Sequence, residues 1–241
     1  MRQAIIVGAS SGIGREVARL LLDDGWQIGI MARREEALLE LKAEKPSKVE
    51  VEVCDITQET APERLLSLIG RMGGVDLYFH ASGVGKQNVA LNPIVEDGTV
   101  NTNVLGFTRM VDAAFNYMAV NQGGHIAVIS SIAGTKGLGP APSYSATKAF
   151  QNTYIQALEQ LANKRRLKIH FTDIRPGFVA TPLIEGSDYP MVLDKTRTAR
   201  AIVRAVYARK HICIIDWRYR LVVFLWRLIP NALWRRLNLA K

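Results

Sequence analysis

The apolar run Gln3–Val7 leads directly into Gly8-Ala9-Ser10-Ser11-Gly12-Ile13-Gly14, and a helical pattern follows over Ile13–Asp23. A strand, a glycine turn and a helix in that order open a βαβ unit and point to a parallel sheet. A backbone without Cβ atoms can approach a ligand closely, and free N–H groups at a helix start favour anionic oxygens. Gly8, Gly12 and Gly14, with Ser10, Ser11 and Ile13 between them, are therefore read as a phosphate cradle. Their spacing, Gly-x3-Gly-x-Gly, differs from the general Gly-x-Gly-x2-Gly fingerprint, and a tight turn without a ligand is the alternative. Residues 8–12 also satisfy the Gly-x-Ser-x-Gly elbow of serine hydrolases, with Ser10 as nucleophile. That elbow takes an oxyanion donor from an earlier loop and would leave Tyr144 and Lys148 without a role, so it is set aside.

Short apolar runs alternate with helical patterns along the rest of the chain. Strands are expected at Gln3 to Val7, Gln27 to Met31, Val49 to Cys54, Val75 to His80, His125 to Ser130, Lys168 to Ile174 and Ile212 to Ile215. Helices are expected at Ile13 to Asp23, Glu35 to Glu44, Pro62 to Met72, Val95 to Val120, Ser145 to Asn163 and Lys195 to Arg209. The alternation predicts an α/β fold, a single Rossmann-type doubly wound parallel sheet of about seven strands with helices on both faces. At 241 residues, 48% apolar and 22% charged, the whole chain 1–241 fits one such domain, with 216–241 as a basic helical extension of it. No basic n-region or cleavage site precedes the first strand, and Cys54 and Cys213 read as inert thiols in strand-like runs; a cytoplasmic setting is expected.

Chemistry concentrates in Ser143-Tyr144-Ser145-Ala146-Thr147-Lys148, with Ser131 upstream. A phenol holds its proton until about pH 10, so one that exchanges protons near neutrality needs a fixed positive charge beside it. Lys148, one helical turn beyond Tyr144, supplies it. Hydride transfer to a carbonyl builds negative charge on oxygen, and Ser131 and Tyr144 are hydroxyl donors suited to that atom. The second strand ends in Arg33-Arg34, where a site preferring NAD would place an acid for the ribose hydroxyl. A guanidinium there favours a 2′-phosphate, hence NADP(H) over NAD(H), with Arg33 the first candidate and Arg34, Arg15 or Ser11 as helpers. The alternative is a pair of arginines that solvate a helix start.

With these residues in place, the chain resembles the short-chain dehydrogenase/reductase (SDR) family over about its first 210 residues. The resemblance rests on Gly8-x3-Gly12-x-Gly14, Asp55 after the third strand, Asn103-Val104-Leu105-Gly106, Ser130-Ser131, Tyr144-x3-Lys148 and Pro176-Gly177, in that order. It implies an oxidoreductase acting on alcohol or carbonyl groups, with Asn103, Ser131, Tyr144 and Lys148 catalytic. Asp55 and Ile56 would line the adenine pocket, and Pro176, Gly177, Val179 and Thr181 would border the nicotinamide end. Lys148 would also hold the nicotinamide ribose, and Asn103 a water linking Lys148 to solvent. Ala81, Ser82 and Gly83 would touch the cofactor, although the family's Asn-Asn-Ala-Gly is here His80-Ala81-Ser82-Gly83; His80 is read as structural. Asp55 as a helix cap and Pro176-Gly177 as a bare turn are the alternatives. The resemblance further implies a homodimer or homotetramer built on the helix after Gly106 and the helix of Tyr144.

Substrate choice falls to the loop Thr181–Leu193, with Gly85–Leu91 or the tail able to close over it. The tail couples aromatic and aliphatic residues to arginines: residues 211–241 hold six cations and one acid, Asp216, within a chain of net charge +9. Its longest uncharged stretch, Leu221–Trp226, is too short to span a bilayer. Phe224, Leu225 and Leu228 can cover the core or a neighbouring subunit, rest on a membrane surface as an interfacial helix, or form a lid. No nucleic-acid module and no metal-ligand cluster is recognisable. Two functions are consistent with this reading: an NADP(H)-dependent reductase of a lipophilic ketone or aldehyde, and a nonenzymatic NADP-binding regulator or scaffold.

Overall fold

A computed structural model describes residues 2–186 and 188–237. Seven parallel strands, β1 (Gln3–Val7), β2 (Gln27–Ala32), β3 (Val49–Val53), β4 (Leu77–His80), β5 (Gly124–Ile129), β6 (Ile169–Arg175) and β7 (Ile212–Ile214), form one sheet in the order β3-β2-β1-β4-β5-β6-β7. The order reverses between β1 and β4, whose ends Val7 and His80 are register partners. This switch point opens a crevice at the carboxyl ends of the strands, where ligands of such folds bind. The doubly wound sheet expected from sequence is therefore present.

Side chains alternate along each strand between two hydrophobic layers. Ala4, Ile6, Ile28, Ile30, Leu77 and Phe79 pack with α1 (Gly12–Asp23), α2 (Glu35–Glu44) and α7 (Lys195–Tyr207). Ile5, Val7, Met31, Tyr78, Ile126 and Val128 pack on the other face with α3 (Ala61–Met72), α5 (Phe107–Val120) and α6 (Pro142–Lys164). Both faces are covered at the centre of the sheet, which is why β1, β2 and β4 read as nearly continuous apolar runs, whereas the edge strand β3, Val-Glu-Val-Glu-Val, alternates.

The helical pattern expected over Val95–Val120 is not one helix. It is α4 (Pro93–Val100) and α5, joined by a π-helical turn at Asn101–Gly106. A π turn widens the ring of backbone hydrogen bonds and redirects a side chain, and such turns favour functional sites. Here it turns Asn103 into the interior and sets Gly106 against the Ile56 backbone, where a Cβ would meet the Ile56 carbonyl oxygen at 2.8 Å.

The tail forms α8 (Trp217–Leu228) and, beyond Pro230, α9 (Asn231–Trp234). Asp216 caps α8, accepting from the Arg218 N–H. Tyr219, Val223 and Trp234 are buried, whereas Phe224, Leu225 and Leu228 are exposed. Of the alternatives open to those three, covering the core is excluded by their exposure, because the helix turns Tyr219 and Val223 inward and the three lie on the opposite side. Cys54 is buried and Cys213 half-buried, both as free thiols; burial pushes Cys54 up to about 11.

Tyr219 lies against Gly177, and a Cβ at Gly177 would meet its ring at 2.2 Å. Gly177→Ala is therefore expected to lower the urea midpoint, by about 1–3 kcal/mol of stability, as overpacked cores do. Gly70→Ala, inside α3 with open space around its Cβ position, is expected to raise it by about 1 kcal/mol.

Candidate active site

The glycine turn sits between β1 and α1. Gly8 has φ +91° and its N–H donates to the Met31 carbonyl; a Cβ there would strike the Ser82 nitrogen at 2.6 Å. A Cβ on Gly14 would strike the Gly8 carbonyl oxygen at 2.3 Å. The turn thus lies flush against Ala81-Ser82 at the end of β4, and Thr181 closes its other side, with its methyl 3.2 Å from the Cβ position of Gly12. Ser11 is the N-cap of α1 but its side chain makes no capping bond, and the first turn contains no acid. A helix start with free N–H groups, approached by a bare backbone and without a competing anion, fits a pyrophosphate.

Of the two arginines after β2, Arg34 lies on this turn: its guanidinium donates to Ser10 Oγ from Nη2 at 3.0 Å and from Nε at 3.3 Å. Arg33 projects outward, 3.8 Å from Asp55. Arg15 is engaged by Glu40 at 2.9 Å. Asp55 accepts from the backbone N–H and the hydroxyl of Thr57, so it shapes an Asx turn after β3 and does not cap α3, whose N-cap is Thr60. Ile56 is buried behind Gly106.

Along the crevice, the α6 side chains meet the loop after β4. A Cβ on Gly85 would enter the Tyr144 ring at 2.3 Å, and one on Gly83 would lie 3.2 Å from Asn103 Oδ1 and 3.6 Å from Lys148 Nζ. Asn103 clamps that loop by accepting from the Val84 N–H at 2.9 Å and donating to the Val84 carbonyl at 2.7 Å. Asn103 thus braces the loop whose motif lacks amide side chains at residues 80 and 81. His80 is fully buried, with Nδ1 2.8 Å from the Tyr78 hydroxyl and its ring edge-on to Phe107. Burial, with the Lys148 charge adding to it, pushes His80 down to about 3, so it is a neutral packing residue at neutral pH.

Lys148 lies 5.8 Å from the centre of the Tyr144 ring and donates to the Ile129 carbonyl at 3.0 Å and to Gln151 Oε1 at 2.9 Å. Burial draws its ammonium down to about 8, and the negative charge of Asp173 works against that. Burial raises the Tyr144 phenol, while the Ser131 side chain acts the other way. Ser131 itself stands two residues beyond β5, capping a short helical turn at Ile132–Thr135, and accepts from the Ala133 N–H, with Pro176 beside it. Val179 is buried in a bridge to Leu193. A hollow of 460 Å³ opens beside residues 134–139 and α6, and Tyr144 is not among its walls.

Three contributors were not singled out from sequence. Gln151, one turn beyond Lys148, donates to the Asn103 carbonyl at 2.9 Å while accepting from Lys148. The Asn103 carbonyl and the Lys148 ammonium are thus joined through one side-chain amide. Only the i, i+3 spacing from Lys148 hinted at it. Gly85 escaped because its neighbour Tyr144 is distant in sequence. Tyr219 is the third: its hydroxyl accepts from the Phe178 N–H at 3.2 Å and reaches the Met191 carbonyl at 3.0 Å, so the tail pins the 178–193 loop. Tyr189 stacks on Phe178 at 4.0 Å and is met by Gln87 at 3.2 Å.

Comparison with known proteins agrees with this arrangement. Residues 2–189 match the family model described as short chain dehydrogenase. An uncharacterized oxidoreductase of Myxococcus xanthus is 31% identical, covering 96% of this chain and 94% of the relative. Another, of Staphylococcus epidermidis, is 28% identical over 87% and 92%. A 3-oxoacyl-[acyl-carrier-protein] reductase of Bos taurus is 25% identical over 88% and 94%. The chain belongs to the short-chain dehydrogenase/reductase family and is an oxidoreductase of that family, whose members use nicotinamide cofactors.

The Gln151 contact makes a signed prediction. Its carbonyl favours the charged form of Lys148, whose other ionisable neighbours are Asp173, His80 and Tyr144. Gln151→Leu should move the Lys148 titration below about 8, by about one unit, and Gln151→Glu should move it upward. Lysine side-chain carbon shifts, followed against pH by NMR, measure both.

Proposed function

We propose that this protein is an NADP(H)-dependent oxidoreductase that interconverts a lipophilic ketone or aldehyde and its alcohol. The observation that supports it most is the gathering of Tyr144, Ser131 and a buried, charged Lys148 at the end of the crevice that begins at the glycine turn. Bound nicotinamide would supply or accept the hydride at the carbonyl carbon. Gly8, Ser10, Ser11, Gly12, Ile13 and Gly14 would hold its pyrophosphate, and Arg34 with Arg33 the 2′-phosphate. Asp55 and Ile56 would line the adenine pocket, Ala81, Ser82 and Gly83 would touch the cofactor along the crevice, and Pro176, Gly177, Val179 and Thr181 would border the nicotinamide end.

In reduction, Ser131 Oγ–H donates to the carbonyl oxygen and orients it, and Tyr144 delivers its hydroxyl proton to that oxygen as charge develops. The Lys148 ammonium stabilises the phenolate left behind and holds the ribose hydroxyls. Asn103 keeps the 83–85 backbone over Tyr144, and Gln151 fixes Lys148 against Ile129. Oxidation runs the same proton path in reverse. The name of the bovine relative, an acyl-chain ketone reductase, supports a lipophilic carbonyl. The free thiols fit a reducing cytoplasm, and exposed Leu105 and Leu161 near the α5 and α6 faces suit a homodimer or homotetramer.

NADPH oxidation by purified protein, measured against ketones and 3-oxoacyl thioesters of graded chain length, tests the reading. Tyr144→Phe is expected to lower kcat by about 10²–10⁴ without weakening NADPH binding. Arg34→Glu should reduce the preference for NADPH over NADH by roughly tenfold or more. NADPH binding without turnover of any substrate would favour the regulator reading, and equal use of NADH by the wild type would remove the role given to the arginines.

A further inference from the structure

The exposed side of α8 has a pattern that neither cofactor binding nor catalysis uses. At 3.6 residues per turn, Trp217, Leu221, Phe224, Leu225 and Leu228 share one stripe. They are between 49% and 68% exposed. Arg220 and Arg227 run along one border of the stripe and Arg218 along the other, while Tyr219 and Val223 point inward on the opposite side. Exposed Leu233, Arg235, Arg236 and Leu237 continue the surface around α9.

Charge decides what covers it. No acid occurs anywhere from residue 217 to 241, and Asp216 is engaged by Arg218 at 2.9 Å. A second copy docked through the same stripe would bring two arginine borders together with no carboxylate between them. An anionic bilayer meets both requirements at once: acyl chains take the apolar centre and headgroup phosphates take the flanking guanidiniums.

We propose that α8 and α9 form a peripheral docking surface for anionic lipid. On the buried side of α8, Tyr219 bonds the Met191 carbonyl, and Leu183, Met191 and Val192 of that same loop are exposed apolar residues. The 178–193 loop is therefore tied to the inner face of the helix whose outer face carries the stripe. Membrane docking itself is independent of the redox reading and is tested without turnover.

Purified full-length protein is sedimented with vesicles of phosphatidylcholine alone and of phosphatidylcholine mixed with phosphatidylglycerol. Binding is expected to the mixed vesicles, to weaken with salt, and to fall at least about tenfold in Arg220→Glu/Arg227→Glu and in Phe224→Asp/Leu228→Asp. Brominated phosphatidylglycerol should quench wild-type tryptophan fluorescence, and Trp217→Phe, a mild change at an exposed position, should remove most of that quenching. Absence of binding to the mixed vesicles overturns the proposal. So does quenching unchanged by Trp217→Phe, or light scattering that shows an oligomer dissociating in Phe224→Asp/Leu228→Asp while wild-type protein ignores vesicles. Vesicle binding by protein that oxidises no NADPH would leave docking intact and count against the reductase reading alone.

Discussion

A buried ammonium is costly, and the arrangement of this crevice follows from how Lys148 is kept charged. Lys148 lies on the second turn of α6 facing the end of β5, where its ammonium donates to the Ile129 carbonyl, and it also donates to Gln151 one turn further along α6. Asp173, paired with Arg175 at 2.6 Å and hydrogen-bonded by Ser130, contributes negative potential from β6. Burial still wins by enough to bring the lysine down to about 8, close to the range in which a proton can be exchanged in water. A lysine so placed can lend its charge to Tyr144 only while the loop after β4 stays packed over both. The π turn before α5 secures this by directing Asn103 onto Val84.

The same compromise sets pH behaviour. Lys148 and His80 both have their protonation opposed by burial, so the unfolded chain binds more protons between their folded and unfolded values. Their contributions make stability rise with pH, from about 3 to 6.5 for His80 and from about 8 to 10.5 for Lys148. In the proposed mechanism activity would run the other way at the upper end, since the charge on Lys148 is lost as pH rises through about 8. The group on which that proposal leans is one whose charge the fold opposes by burial.

Helix α8 joins two surfaces with different solvents. Inward, Tyr219 fills the space left by Gly177 and ties down the backbone at Phe178 and Met191; outward, a stripe of Trp217, Leu221, Phe224, Leu225 and Leu228 meets whatever lies beyond the protein. No helix among the described residues is long and apolar enough to cross a membrane. The position of the 178–193 loop is consequently linked, through one tyrosine, to the helix whose other face is exposed.

The sheet, its strand limits and the order of the site motifs were legible in the sequence because they depend on local properties: alternation of apolar runs, glycines where a Cβ cannot fit, and a tyrosine and lysine one helical turn apart. Sequence alone determined that this chain forms a doubly wound sheet with a glycine turn between its first strand and helix and a Tyr–Lys pair one helical turn apart. What it could not determine were relations between residues distant along the chain. Tertiary structure decided that Arg34 and not Arg33 reaches Ser10, because the backbone leaving β2 directs one side chain over the turn and the other toward Asp55. It decided that Gln151 occupies the space between Asn103 and Lys148, because only packing brings the π turn onto α6. It decided, too, which side of α8 is buried: the periodicity of an amphipathic helix defines its faces, but only the location of Gly177 and the 178–193 loop fixes Tyr219 inward and leaves Phe224 to the outside.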